Sequence, residues 1–361
     1  MSQTDRPDPH APPTFGERVT RIIGAVAGDP IARAELDMAR VLDELKALGA
    51  EPIEDLTPEE ARRQPTPADA VSSLMAKFGI PPADADVTSH DVVYPGAGGD
   101  LPARVYHPPG AAGPRPLILY FRGGGWVFAD LDDYDSSPRA IAARTDAVVV
   151  SADFRRAPEH KFPAAHEDAV AAYRWVVERA TELGGDGERF AIVGESAGGN
   201  LAINVAIAAR DQGLTAPKHL ALIYPLAGVD MSTPSFRINE HARPLNKAIV
   251  GWLLGHALLG VDQKEDPRLD LVNRADLHGL PPTTLLTAEI DPLRSEGHML
   301  ADKLRGAGVA VNAVDFEGVA HGFFGMGDLV RHARSAQELI GRDLGQSLAP
   351  LERGARVGRA L

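Results

Sequence analysis

The chain has 361 residues, 44% hydrophobic and 24% charged, enough for one large α/β domain plus an accessory piece. Its formal net charge of −13 gives it no electrostatic reason to seek nucleic acid or an anionic membrane. It contains no cysteine, which excludes disulfides, thiolate metal sites and a cysteine nucleophile.

Residues 1–13 are polar and proline-rich, with no apolar stretch of signal-peptide type, and read as a loose tail. No apolar run approaches membrane-spanning length, so the expectation is a cytoplasmic protein. Helical signals follow. Asp29-Pro30 can open a helix as N-cap and first residue. Met38, Val41, Leu42, Leu45 and Leu48 form an apolar stripe at helical spacing that Gly49 can end. Thr57-Pro58-Glu59-Glu60 and Thr66-Pro67-Ala68-Asp69 carry capping-box patterns. Residues 14–80 are therefore predicted to be a few helices, which either pack on the main core or form a lid over a site.

From Asp86 the period changes. Val87–Tyr94 and Leu101–His107 flank a glycine-rich turn and predict a hairpin. Strands are then predicted at Leu117–Phe121, Ala147–Phe154, Phe190–Val193, Leu220–Tyr224, Thr283–Thr287 and Val309–Phe316. Helices are predicted at Pro138–Thr145, Ala164–Leu183, Ala197–Gln212, Ser295–Gly306 and Asp328–Gln346. Strands alternating with helices imply an α/β fold, a mostly parallel sheet covered on both faces. The alternation fails between Ala227 and Pro281, where Ile249, Trp252, Leu253, Leu254, Ala257 and Leu258 predict one more helix. Residues 228–262 are thus a second candidate lid segment, inserted into a catalytic domain of residues 86–361.

Phe190-Ala191-Ile192-Val193 runs straight into Gly194-Glu195-Ser196-Ala197-Gly198 and then a helix-forming stretch. That is the context of a G-x-S-x-G nucleophile elbow. The glycines remove side chains that would collide around the turn, and the Ala197 N–H is left free at a helix N-terminus to face an oxyanion. A serine needs a base, and the base an orienting acid, in the order Ser, acid, His. His321 lies in a loop after the last strand, whereas His298 and His332 fall within helices. Asp291 follows a strand within a few residues, with Glu289 and Glu296 as competitors and an N-cap as its plain alternative. Gly123-Gly124-Gly125-Trp126 follows another strand and can present backbone N–H groups to a ligand.

Gly123-Gly124-Gly125-Trp126, Asp153 to Glu159, Phe162-Pro163-Ala164-Ala165, Gly194 to Asn200, Asp291 to Gly297 and His321-Gly322-Phe323 occur in order over about 117–324. Together they resemble the hormone-sensitive-lipase-like, HGGG-type bacterial family IV esterases of the α/β-hydrolase superfamily. The resemblance implies Ser196 as nucleophile, His321 as general base and acid, and Asp291 as its orienter. It implies oxyanion donors from Gly124, Gly125 and Ala197, with Gly123 shaping the loop, and a helical cap built from the two lid segments. It implies no cofactor, a small-molecule ester as partner, and leaves a homodimer open.

Three residues depart from the family pattern. Arg122 stands where the family has His, Glu195 where it has Asp or Thr, and Phe154 where it has Tyr. Arg122 either hydrogen-bonds local carbonyls and braces the loop or meets an anionic substrate group. The brace is favoured, because a charge in an apolar pocket is costly without a partner. Arg122 and Glu195 join Trp126, Phe128, Tyr224, Phe323 and Phe324 as candidate pocket residues, the aromatics being equally suited to the core. Asp130, Asp132, Asp133 and Asp135 could hold a hard cation, but the family carries acids in this loop without one, so no metal is assigned. His166-Glu167-Asp168 reads as structural. The expected function is hydrolysis of small to medium carboxylic esters through an acyl-enzyme. The alternatives are an amidase, formamidase, lactonase or deacetylase on the same triad, and, remotely, a non-catalytic receptor.

Overall fold

A computed structural model describes residues 12–110 and 113–350. The expected tail falls almost wholly outside them. Eight strands form one sheet: β1 (Thr88–Gly96), β2 (Gly99–His107), β3 (Arg115–Phe121), β4 (Val148–Ala152), β5 (Gly185–Glu195), β6 (His219–Ile223), β7 (Thr283–Ile290) and β8 (Val311–Ala320). Their spatial order is β1-β2-β4-β3-β5-β6-β7-β8. The β1–β2 hairpin and the β2–β4 pair are antiparallel, and every other pair is parallel. Leu117 to Phe121 and Val148 to Ala152 are buried throughout, the unbroken pattern of strands covered on both faces.

The N-terminal helices are α1 (Phe15–Ala27), α2 (Leu36–Ala47), α3 (Pro58–Ala61) and α4 (Pro67–Phe78). Thr14, Thr57 and Thr66 each close a reciprocal capping box, with Glu17, Glu60 and Asp69. Asp29-Pro30 opens only a 3-10 turn, Pro30–Arg33. The helix expected from it starts later, at Leu36, because Glu35 is held extended by its N–H on the Gly318 carbonyl, 2.7 Å. Met38, Val41 and Leu42 then point into the core.

Helices α5 (Ser136–Thr145), α6 (Ala164–Glu178) and α7 (Ala197–Asp211) come next; α8 (Pro234–Ile238), α9 (Lys247–Ala257) and α10 (Leu271–Arg274) lie between β6 and β7; α11 (Arg294–Gly306) and α12 (Arg331–Ser347) complete the set. One apolar cluster joins the sheet to α6, α7, α9 and α11, the other to α2, α4, α5 and α12. The strand predicted at Phe190 begins five residues earlier, at Gly185. Gly185-Asp186-Gly187-Glu188-Arg189 has no apolar pattern; Gly185 and Asp186 are recruited by pairing with Arg115 and Pro116, and the register then shifts so that Leu117 pairs with Phe190. The N-terminal helices and the insert meet directly: Trp252 donates to the Leu56 carbonyl and Asn246 to Glu54, both at 3.0 Å.

Two buried histidines link this packing to pH. His166 and His219 are each pushed down to about 4 by burial. The unfolded chain therefore binds protons that the folded state refuses, and stability falls as pH drops from about 6.5 to about 4, by on the order of 3 kcal/mol per histidine. Urea unfolding across that window should show His166→Gln and His219→Gln each flattening the pH slope by about one proton. An unchanged slope in both would show that these rings are not kept neutral by the fold.

Candidate active site

Strand β5 ends at Glu195 and α7 begins at Ala197, so Ser196 carries the whole turn. Its backbone sits at φ 55, ψ −120, a region that L residues rarely adopt. Three hydrogen bonds hold it there: the Ser196 N–H donates to the Ile223 carbonyl at 2.9 Å, and its own carbonyl accepts from Leu226 (3.0 Å) and Asn200 (3.2 Å). The turn brings α7 against β3 so closely that a Cβ on Gly198 would lie 2.1 Å from the Phe121 oxygen.

The downstream residues converge on this serine. His321 Nε2 lies 2.9 Å from Ser196 Oγ, and His321 Nδ1 lies 2.7 Å from Asp291 Oδ2. A carboxylate can only accept, so Nδ1 carries the proton and Nε2 is left to accept from the serine hydroxyl. The other oxygen of Asp291 accepts the Leu293 N–H at 2.8 Å, and Asn239 donates to the Asp291 carbonyl at 2.9 Å. All three side chains are buried. The competitors lie elsewhere: Glu289 binds Gly318 N–H and Arg33, and Glu296 accepts from Ala227 N–H while burial lifts its carboxyl well above the usual range. His298 is exposed and pairs with Asp315.

Beside the serine, Gly123 packs so that a Cβ would come 3.3 Å from Ser196 Cβ and 2.3 Å from the Tyr134 hydroxyl. The N–H groups of Gly124, Gly125 and Ala197 donate to no protein acceptor among the described residues. They flank a cavity of about 590 Å³ that opens on Ser196 and His321. Its walls are Leu42, Leu45 and Val71 from the N-terminal helices and Leu245, Ile249 and Leu253 from the insert.

Of the seven candidate pocket residues, Phe128 and Glu195 line this cavity and five do not. Trp126 has φ 63 and turns beneath its loop against His166. Tyr224 spends its hydroxyl on Glu195 and its ring on His321, 4.7 Å between centroids. Phe323 and Phe324 are fully buried in the core, Phe323 against Phe316. Arg122 points backward. Glu195 reaches the wall only as a buried carboxylate that accepts from Tyr120 (2.7 Å) and Tyr224, and burial raises its carboxyl above the usual value. The lining that sequence reading missed comes from the two helical segments, where Leu45 and Leu253 look like ordinary core positions of an amphipathic stripe.

A family profile for the alpha/beta hydrolase fold matches residues 118–325. This chain belongs to the α/β-hydrolase family. It is 40% identical to the carboxylesterase NlhH of Mycobacterium tuberculosis over 257 residues, 70% of this chain and 78% of that one. It is 33% identical to the ethyl acetate hydrolase of Pseudomonas putida over 309 residues, 82% of this chain and 92% of that one. Among solved structures, a thermophilic carboxylesterase cloned from a metagenomic library superposes with a TM-score of 0.74 at 39% identity, covering 82% of this chain and 99% of that one. The resemblance read from the motifs is thereby borne out at the level of family and fold.

In this α/β-hydrolase the loop residue Arg122 is completely buried. Its Nε and Nη2 lie 3.0 and 2.5 Å from Asp153 Oδ1, and its Nη1 donates to the carbonyls of Gly123 (3.0 Å) and Phe128 (3.2 Å). The guanidinium stacks over Phe154 at 4.3 Å. The loop carbonyls are thus tied down from behind, and no donor of Arg122 faces the cavity. The acidic run alongside is used locally: Arg104 pairs with Asp132 and Asp135, and Asp130 accepts from the N–H groups of Asp132 and Asp133.

Removing one partner of a buried ion pair strands the other. Arg122→Ala should cost about 3–5 kcal/mol of unfolding free energy in urea titrations. The Arg122→Ala/Asp153→Ala double variant should lose clearly less than the sum of the two single losses. Additive losses would mean that the pair is not coupled.

Proposed function

We propose that the protein is a serine carboxylesterase acting on small to medium carboxylic esters. The observation that carries this reading is the Ser196–His321–Asp291 hydrogen-bonded chain opening into a cavity beside three unused backbone donors. His321 Nε2 takes the Ser196 proton as Oγ attacks the ester carbonyl. Asp291, with one oxygen held by Leu293 N–H, fixes the ring tautomer and stabilises the imidazolium. The N–H groups of Gly124, Gly125 and Ala197 receive the developing oxyanion. His321 then returns the proton to the leaving alcohol, and an acyl-enzyme remains. Water enters by the same route, deprotonated by His321, and releases the acid. The carboxylesterase and ethyl acetate hydrolase among its relatives support an ester substrate.

The α2–α4 region and the α8–α9 insert act together as a cap. They supply most of the apolar wall and are tied to each other through Trp252 and Asn246. The acidic, cysteine-free composition supports a cytoplasmic location.

Ser196→Ala should lower hydrolysis of 4-nitrophenyl esters by ~10⁴-fold or more while the protein stays folded, and a serine-directed phosphonate should label Ser196 alone. Near-normal turnover in the variant, or label on another serine, would overturn the assignment. The cap reading has its own test. Leu45→Trp narrows the cavity from α2, and should lower kcat/KM for an octanoate ester about tenfold relative to the acetate. Equal effects on both esters would remove α2 from substrate selection.

A further inference from the structure

Of the acids that line the cavity and take no part in the chemistry above, Asp133 lies on the glycine-loop side. Asp133 lies on the wall beside Gly124, Gly125, Phe128 and Ala129, in the same cavity as Ser196 and His321. Its Oδ2 closes the local turn by accepting the Asp130 N–H at 3.0 Å. Its Oδ1 has no hydrogen-bond partner among the described residues, and it is not an enclosed orphan atom. That oxygen is therefore accessible, on a residue that lines the cavity.

Three of the cations around it are paired elsewhere, while Lys46 on the same cavity wall and Arg156, which donates to the Ala129 carbonyl at 3.1 Å, have no ion pair among the described residues. Behind the loop, Arg122 is bound to Asp153. Arg62, at the end of α3, is bound to Glu159, and Arg243 from the insert to Asp29. Lys46 stands on α2 in the field of Asp43. The charges that act on Asp133 are Asp130 on its own turn, Arg122 behind it and Asp69 on α4. Two of those three are negative, so the wall at Asp133 is locally anionic, and Asp133 makes no ion pair among the described residues.

We propose that Asp133 is a specificity-determining residue that selects esters bearing a positively charged nitrogen, the Asp133 Oδ1 facing that nitrogen in the bound substrate. The proposal rests on the esterase reading of the site and names its substrate class. Phe128, on the same wall, gives the methylene or methyl groups around such a nitrogen an apolar and aromatic surface. Burial and the neighbouring Asp130 push the Asp133 carboxyl up to about 6. The preference should therefore be strong at pH 8, where the carboxylate is ionised, and fade towards pH 5, where it is mostly protonated.

The test uses esters of equal shape and different charge. On the alcohol side, choline acetate is compared with 3,3-dimethylbutyl acetate. On the acyl side, the 4-nitrophenyl ester of 4-(trimethylammonio)butyrate is compared with that of 5,5-dimethylhexanoate. The quaternary nitrogen cannot titrate, and taking the ratio of kcat/KM within a pair cancels any pH dependence common to both esters. For at least one pair the cation should be favoured about tenfold at pH 8, and the ratio should approach one near pH 5. Asp133→Asn keeps an amide oxygen for the Asp130 N–H, and should bring the ratio to about one at both pH values. A ratio of one or below for both pairs at pH 8, a ratio independent of pH, or an unchanged ratio in Asp133→Asn overturns the proposal. Hydrolysis of the neutral members alone leaves the esterase reading standing and removes this one. If no ester is turned over, calorimetric binding of the same pairs to Ser196→Ala protein decides it: equal affinities at pH 8 overturn the role of Asp133, and tighter binding of the cation upholds it.

Discussion

The structure depends on one strained residue. Ser196 must hold a positive φ between a strand buried in the middle of the sheet and a helix that starts at once. Such a conformation costs about 1–3 kcal/mol and persists only where its surroundings over-determine it. Here the determinants are the Ile223, Leu226 and Asn200 hydrogen bonds and the bare Cα of Gly198 against the Phe121 carbonyl. The strain is useful because it lifts Oγ to His321 while leaving the Ala197 N–H at the start of α7 without an internal partner. A relaxed turn would swing the hydroxyl back toward the sheet.

Around that turn the fold buries charge in matched sets. Glu195 sits between the hydroxyls of Tyr120 and Tyr224, which tie the C-terminal ends of β3, β5 and β6 into one polar knot. Arg122 is held by Asp153 and two loop carbonyls, with Phe154 beneath it. Asp168, fully buried, accepts from the backbone N–H groups of Ala97 and Arg155 and from the Arg155 side chain. Buried ions of this kind contribute little net stability against apolar replacements, but each fixes the position of a loop that would otherwise have several packings. Their common result is a glycine loop held from behind, lining the same cavity as the serine.

The cavity has a different origin. Its polar end comes from loops at the C-terminal edge of the sheet, the usual place for a site in an open α/β fold. Its apolar walls come from two segments separated by more than 160 residues of chain, joined through Trp252 and Asn246. The same α2 helix buries Met38 and Val41 in the core and turns Leu45 and Lys46 to the cavity. Core packing and the cavity wall therefore share a helix, and neither excludes the other.

The sequence by itself determined the alternation of strand and helix and the elbow, and it singled out Ser196, His321 and, among competing acids, Asp291 as candidates that the fold then brings into hydrogen-bond contact. Each is written in local spacing, in turn chemistry, or in a motif whose residues are adjacent in the chain. Local signals failed where a distant partner decides the outcome. Glu35 is drawn out of the expected helix by the Gly318 carbonyl, and the strand reaches back to Gly185 because β3 pairs Gly185 and Asp186. Only the tertiary structure decided which aromatics reach the cavity, because Trp126, Tyr224, Phe323 and Phe324 have the composition of a pocket but are turned away by a positive φ, a buried carboxylate and core packing. It likewise decided the direction of Arg122, since the partner that draws the guanidinium backward, Asp153, lies 31 residues away and is brought near only when β3 and β4 pair.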